Sequence, residues 1–144
     1  MPTFVDTNVL VCARDASEPE RQPLARAWLE HLWRTRDGRL SIQVLQEYYV
    51  TVTRKLRPGL PPAEARADVE DLMAWRPIAV NADLVRSAWE LEDRFRLSFW
   101  DALIVAGARA AGCRLLLSED LTHGASYDGV EVVDPFCTPV ASAD

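Results

Sequence analysis

Apolar residues recur in two rhythms along this chain: short consecutive runs, and longer stretches in which they return every third or fourth position. Thr3-Phe4-Val5 is a β-prone run that stops at Asp6-Thr7-Asn8, residue types that favour turns and helix caps. Between Ser17 and Arg36 the residues Leu24, Trp28 and Leu32 repeat every fourth position, and Ser17 and Glu20 have capping-box spacing, so a helix is predicted there, with Pro23 blurring its start by a turn. Arg39-Leu40-Ser41-Ile42 reads as a second strand. It leads into a helix that gathers Val44, Leu45, Tyr48, Val52 and Leu56 on one face until Arg57-Pro58-Gly59 stops it.

Pro62 suits the first turn of another helix, bearing Ala65, Val69, Leu72 and Met73, and Ile78-Ala79-Val80 is a third strand candidate. From about Asn81 to Phe95 a helix aligns Leu84, Ala88, Leu91 and Phe95. Ser98 to Gly112 is apolar almost throughout, which predicts a buried helix, and the strands Leu115-Leu116-Leu117 and Val130 to Val133 follow. Strands this apolar, separated by helices, imply an α/β domain of three layers, α/β/α, around a mostly parallel twisted sheet of about five strands. The expected unit is a single domain over 1–137 with a flexible tail over 138–144.

Composition fits that picture. At 144 residues, 49% hydrophobic and 26% charged, the chain is long enough for a core without disulfides or a structural metal. No apolar run approaches the roughly 18 residues of a membrane span, and the N-terminus lacks the layout of a signal peptide, so the cytoplasm is the expected compartment. Three cysteines without Cys-x-x-Cys spacing and two histidines argue against a Cys/His zinc site. A net charge of −6 argues against a broad basic surface of the DNA-binding kind.

Candidate chemistry comes from four acids. In a parallel α/β sheet the C-terminal ends of the strands and the N-terminal ends of the crossover helices share one edge, where ligands bind. Asp6 ends the first strand, and Asp120 lies just past Leu115-Leu116-Leu117. Glu47 lies early in the helix after the second strand, and Asp101 falls in the first turn of the helix that precedes Leu115. Singly, each has a structural reading: Asp101 completes a capping box with Ser98, Asp6 and Asp120 suit Asx turns or caps, and Glu47 borders an apolar stripe. Together they require compensation, because two carboxylates about 4 Å apart repel by roughly 4 kcal/mol at an effective dielectric of about 20. Either some are protonated as a coupled set or divalent cations neutralise them, and oxygen-only donors favour Mg2+ or Mn2+ over zinc.

These residues give the chain a family likeness. Asp6-Thr7-Asn8 after the first strand, Glu47, Ser98-Phe99-Trp100-Asp101-Ala102-Leu103-Ile104 and Leu117-Ser118-Glu119-Asp120-Leu121 resemble the motifs of PIN-domain ribonucleases, most of all the VapC-type toxins of toxin–antitoxin pairs. The resemblance spans nearly the whole chain, and Asp134-Pro135-Phe136 closes it. It implies that Asp6, Glu47, Asp101 and Asp120 hold Mg2+ or Mn2+, with Asp6 and Asp101 as direct ligands and Thr7, Asn8 and Ser118 as supporting groups. It further implies water-driven hydrolysis of RNA to 5′-phosphate and 3′-hydroxyl ends, a homodimer, and inhibition by a small antitoxin. Arg14 and Arg54 are candidates for steering RNA, and Tyr48, Tyr49, Leu60 and Trp75 for dimer or antitoxin contacts, with core packing as their other reading.

Two further classes fit part of the sequence. An aspartate after the first strand also marks haloacid-dehalogenase-like phosphatases, where Asp6 would be the nucleophile, but Asn8 stands where that chemistry wants a second aspartate. A non-catalytic interaction module, with the acids acting as caps, is the other.

Overall fold

The computed structural model describes residues 1–140. Three strands set its axis: β1 (Thr3–Val5), β2 (Gly38–Arg39) and β3 (Leu115–Leu117), with β1 central and parallel to both neighbours. Beyond β3, the strand β5 (Val130–Val133) pairs in parallel, and β4 (Ser126–Tyr127) adds an antiparallel edge, for the order β2-β1-β3-β5-β4. Phe4, Val5, Leu116, Leu117 and Val132 are buried, as expected of a sheet covered on both faces.

Helices α1 (Thr7–Arg14), α2 (Gln22–Thr35), α3 (Ile42–Val50) and α4 (Pro62–Leu72) pack on one another, α1 touching both α2 and α3. The pair α5 (Ala82–Phe95) and α6 (Phe99–Ala110) forms the other group, and α6 lies on β1, β3 and β5. Gly107 lets α6 approach the sheet, since a Cβ there would meet the Phe4 ring at 3.2 Å. Among the described residues no helix is long and apolar enough to cross a membrane.

Several elements depart from the sequence reading, each for a local reason. Helix α1 went unassigned because Val9-Leu10-Val11-Cys12-Ala13 is buried on nearly every side and shows no polar face. Ser17 starts no helix: its amide and hydroxyl both donate to Asp15 Oδ1, at 3.0 and 2.6 Å, and α2 begins at Gln22 with Pro23 in its first turn. Ile78-Ala79-Val80 forms no strand. Only Ile78 bridges, its N–H donating to Leu40 and its carbonyl accepting from Ile42, while Pro77 before it offers no donor and Asn81 already caps α5. The fifth strand is instead β4, joined to β5 through Asp128 and Gly129. Both have positive φ, 53° and 90°, the backbone of a two-residue hairpin turn.

Helix α3 runs on into a π-helical turn (Thr51–Lys55). Tyr48 and Trp75 are core residues, each 3% exposed, whereas Tyr49 and Leu60 are partly buried at its margin. Of the expected tail, Thr138 accepts a hydrogen bond from the Trp28 indole at 2.9 Å and Val140 packs against the core; residues 141–144 lie outside the described ones.

Candidate active site

Asp6 is the residue at which β1 becomes α1. Its N–H continues the sheet by donating to Leu117, and its side chain caps the helix by accepting from Thr7 N at 2.7 Å. The other carboxylate oxygen accepts from Ser118 Oγ at 2.8 Å and Asn8 Nδ2 at 3.2 Å, so β3 is bound to β1 at its C-terminal end. Asp6 is 5% exposed, and burial pushes its carboxyl up to about 7. Ser118 and Thr7 counter that rise; the charges of Asp120 and Glu47 add to it.

Around Asp6, the residues Asn8, Ser118 and Asp120 close a hydrogen-bonded ring, and Thr7 joins Glu47 to its margin. Asn8 Nδ2 donates to Asp120 at 3.1 Å, and Asn8 Oδ1 accepts from Glu119 N at 3.2 Å, fixing the amide's orientation. Ser118 Oγ accepts from the Asp120 amide at 3.2 Å. On the other side, Thr7 Oγ1 donates to Glu47 at 2.8 Å, which brings the second turn of α3 to the first turn of α1. Asp101 N donates to Ser98 Oγ at 3.2 Å, the N-cap half of the expected capping box. Burial, then the charges of Asp120 and Glu47, raise the Asp101 carboxyl above its usual range against the pull of Ser98.

The four acids are thus close enough to feel one another's charge. Among the described residues none of them has an Arg or Lys partner, and no group of three or more Asp, Glu, His or Cys side chains is arranged to hold a metal ion. The reason lies in the bonds just described: Asp6 and Glu47 each spend both oxygens on neutral protein donors. The set still fits a hard cation chemically, since every donor is oxygen and each carboxylate oxygen keeps a second lone pair.

Gln43 is the site residue that sequence reasoning missed. It is 4% exposed, and its amide nitrogen donates to Glu47 Oε1 at 3.0 Å and to the Trp100 carbonyl at 3.3 Å, tying α3 to the first turn of α6. Its own oxygen has no hydrogen-bond partner. The available signal was a glutamine one helical turn before Glu47 among the apolar residues Val44 and Leu45. Arg14, in contrast, is no free RNA contact, because Asp68 and Glu64 hold its guanidinium. The ring opens onto a cleft of about 660 Å³ whose lining includes Thr7, Asn8, Glu47, Asp120, Trp100 and Lys55.

Fold and site together define a small, mostly parallel α/β domain with a carboxylate-rich edge. The chain belongs to the PIN-domain family, whose family model matches residues 3–123. Among solved structures it is similar to VapC20 of Mycobacterium tuberculosis, described as a toxin that cleaves the sarcin-ricin loop. The identity is 29% over 82% of this chain and 91% of that one, with a TM-score of 0.62. A toxin–antitoxin complex from Klebsiella pneumoniae shares the fold at 18% identity, covering 92% of this chain and 97% of that one, with a TM-score of 0.66. Comparison with curated proteins found no match.

Proposed function

We propose that this chain is a Mg2+- or Mn2+-dependent endoribonuclease acting as the toxin of a toxin–antitoxin pair. The observation that carries the reading is the ring of Asp6, Asn8, Ser118 and Asp120, joined through Thr7 to Glu47 and Gln43, drawn from three separate segments onto one cleft. Membership of the PIN family and the likeness to a toxin that cleaves the sarcin-ricin loop support the substrate class. RNA as substrate and a small antitoxin as partner accord with a cytoplasmic protein.

In this reading Asp6, Glu47, Asp101 and Asp120 hold the cation, Asp6 and Asp101 as direct ligands. A divalent ion there supplies Lewis acidity at the scissile phosphate and makes an acidic cleft receptive to an anion. The chain's own residues do the rest. Thr7, Asn8 and Ser118 orient the carboxylates, and Gln43 sets Glu47 against α6. Burial of Asp6 keeps water from competing for its oxygens. Burial opposes ionisation of Asp6, and a bound cation would favour its ionised form. A phosphatase route using Asp6 as nucleophile fits poorly, because Asn8 stands where that chemistry wants a second acid. Homodimerisation belongs to the same reading.

The test is cleavage of a structured RNA by the purified protein in Mn2+, with Asp6→Asn and Asp101→Asn in parallel. Wild-type cleavage leaving 5′-phosphate ends, lost in both variants and in chelator, is expected. Equal cleavage by all three proteins would overturn the site.

A further inference from the structure

The cleft holds two groups that carboxylate chemistry does not use. Trp100 is 62% exposed although it stands directly before Asp101, and its ring is braced edge-on against Phe99 at 5.2 Å. Its backbone is also fixed, since its carbonyl accepts the Gln43 amide. Three tryptophans are well exposed, Trp33, Trp89 and Trp100, and of these Trp100 alone lines this cleft. A rigid indole face left bare beside a reactive centre is a stacking platform in search of a flat partner.

Lys55 is the second group. It is the chain's only lysine, stands at the end of the π-helical turn after α3, and lines the same cleft. The other cation of the cleft, Arg21, is spent on Glu119 and lies over the Phe136 ring at 4.9 Å. Among the described residues Lys55 has no acidic partner, even though Asp15, Glu18 and Glu47 line the same space. An ammonium without an acidic partner among the described residues and a bare indole, both lining one cleft, match the two halves of a nucleotide: phosphate and base face.

We infer that the outer cleft is a subsite for one unpaired RNA nucleotide, with Trp100 stacked on its base and Lys55 on an adjoining phosphate. The inference rests on the ribonuclease reading and sharpens it to a substrate class. A base inside a duplex already has both faces covered by its neighbours, so only a splayed base from a loop, bulge or single strand reaches the indole. Stacking reads a π-face and not the pairing edge, so the subsite selects unpaired RNA over duplex with little choice of base. The cleft volume falls inside the roughly 300–1,000 Å³ range of small-ligand sites.

The experiment measures binding of a fluorescent single-stranded oligoribonucleotide, and of a blunt RNA duplex, to the full chain at low salt, in chelator and, to neutralise the carboxylates, in Ca2+. Binding to single strand over duplex is expected. Trp100→Ala should weaken it about tenfold and Trp100→Phe should largely restore it. Lys55→Gln should weaken it and reduce the dependence on log salt by about one unit. Equal affinity of wild type and Trp100→Ala, equal affinity for duplex, or no binding by wild type each overturns the subsite. The two readings separate in Mn2+. Trp100→Ala should raise KM with kcat retained, whereas Asp6→Asn abolishes cleavage yet keeps metal-free binding. Trp100-dependent binding without any cleavage would sink the nuclease reading alone; Asp6-dependent cleavage indifferent to Trp100 would sink the subsite alone.

Discussion

Two polar clusters share helices α1 and α3, and they handle charge in opposite ways. At the C-terminal end of α1, Arg14 donates to both oxygens of Asp68, at 2.9 and 2.6 Å, and to Glu64 at 2.9 Å. Tyr48 adds its hydroxyl to Asp68. Its burial, and then Asp68, push the Tyr48 hydroxyl well above its ordinary range, so it stays a donor. The acids there have a cation, and the cluster locks α1, α3 and α4 together. At the N-terminal end of α1 the acids Asp6, Glu47, Asp101 and Asp120 meet only hydroxyls and amides. Neutral donors orient carboxylates without cancelling their charge. One cluster is electrostatically complete; the other carries charge that no Arg or Lys of the described residues pairs with, which is where the proposed cation would act.

The largest effect expected of this contrast falls on catalysis. Asp6→Asn or Asp101→Asn should cut Mn2+-dependent RNA cleavage by about 100-fold or more, read as initial rates. Neither should lower the metal-free melting temperature at pH 8, because each removes a carboxylate whose ionisation burial opposes. Gln43→Leu breaks the tie between Glu47 and α6 while roughly keeping volume. A loss on the order of 10-fold in cleavage or Mn2+ affinity is expected, in line with residues that orient metal ligands; unchanged Mn2+ titrations of melting would refute that role.

Asp68→Asn should do the reverse. It should cost about 1–2 kcal/mol of stability, reduced by the partial exposure of Arg14 and Asp68, and leave cleavage by the folded protein intact. A chemical-denaturation midpoint equal to wild type would contradict it.

The smallest effect is a slope in pH. Asp6 has its folded pKa raised from 3.8 to about 7, so the folded state holds the proton more tightly than the unfolded one. Its contribution to metal-free stability is then greatest below about pH 4, declines as pH rises to 7 and levels off above it. Asp6→Asn should flatten that decline in melting curves. Mn2+ should oppose it, its stabilisation growing with pH through 7, because the cation takes the ionised form. A wild-type profile identical to the variant's would show that Asp6 titrates normally.

Much of this contrast was legible in the chain. The apolar rhythm placed β1 and β3 residue for residue, because a strand buried on both faces is largely apolar, and β5 by its valines on either side of the exposed Glu131. Ser98 and Asp101 announced the start of α6, a local bond between neighbours. The hairpin that makes β4 was missed, although its Asp128-Gly129 pair is a turn signal. Ile78-Ala79-Val80 looked like a strand and is not one, since a run of three β-prone residues says nothing of whether a partner strand is free beside it.

By itself the sequence determined the alternation of strands and helices, the edge on which four acids fall, and the oxygen-only character of their donors. These depend on residue type and on periods of two and 3.6, which are local properties of the chain. Tertiary structure alone decided that Asn8 reaches Asp120 across 112 positions, that Gln43 joins Glu47 to α6, and that burial lifts Asp6 to about 7. It also decided that Arg14 is claimed by Asp68 while Lys55 has no acidic partner among the described residues. Desolvation and charge pairing are sums over whatever packs within a few ångströms, and the identity of those neighbours is fixed only when the whole chain has folded.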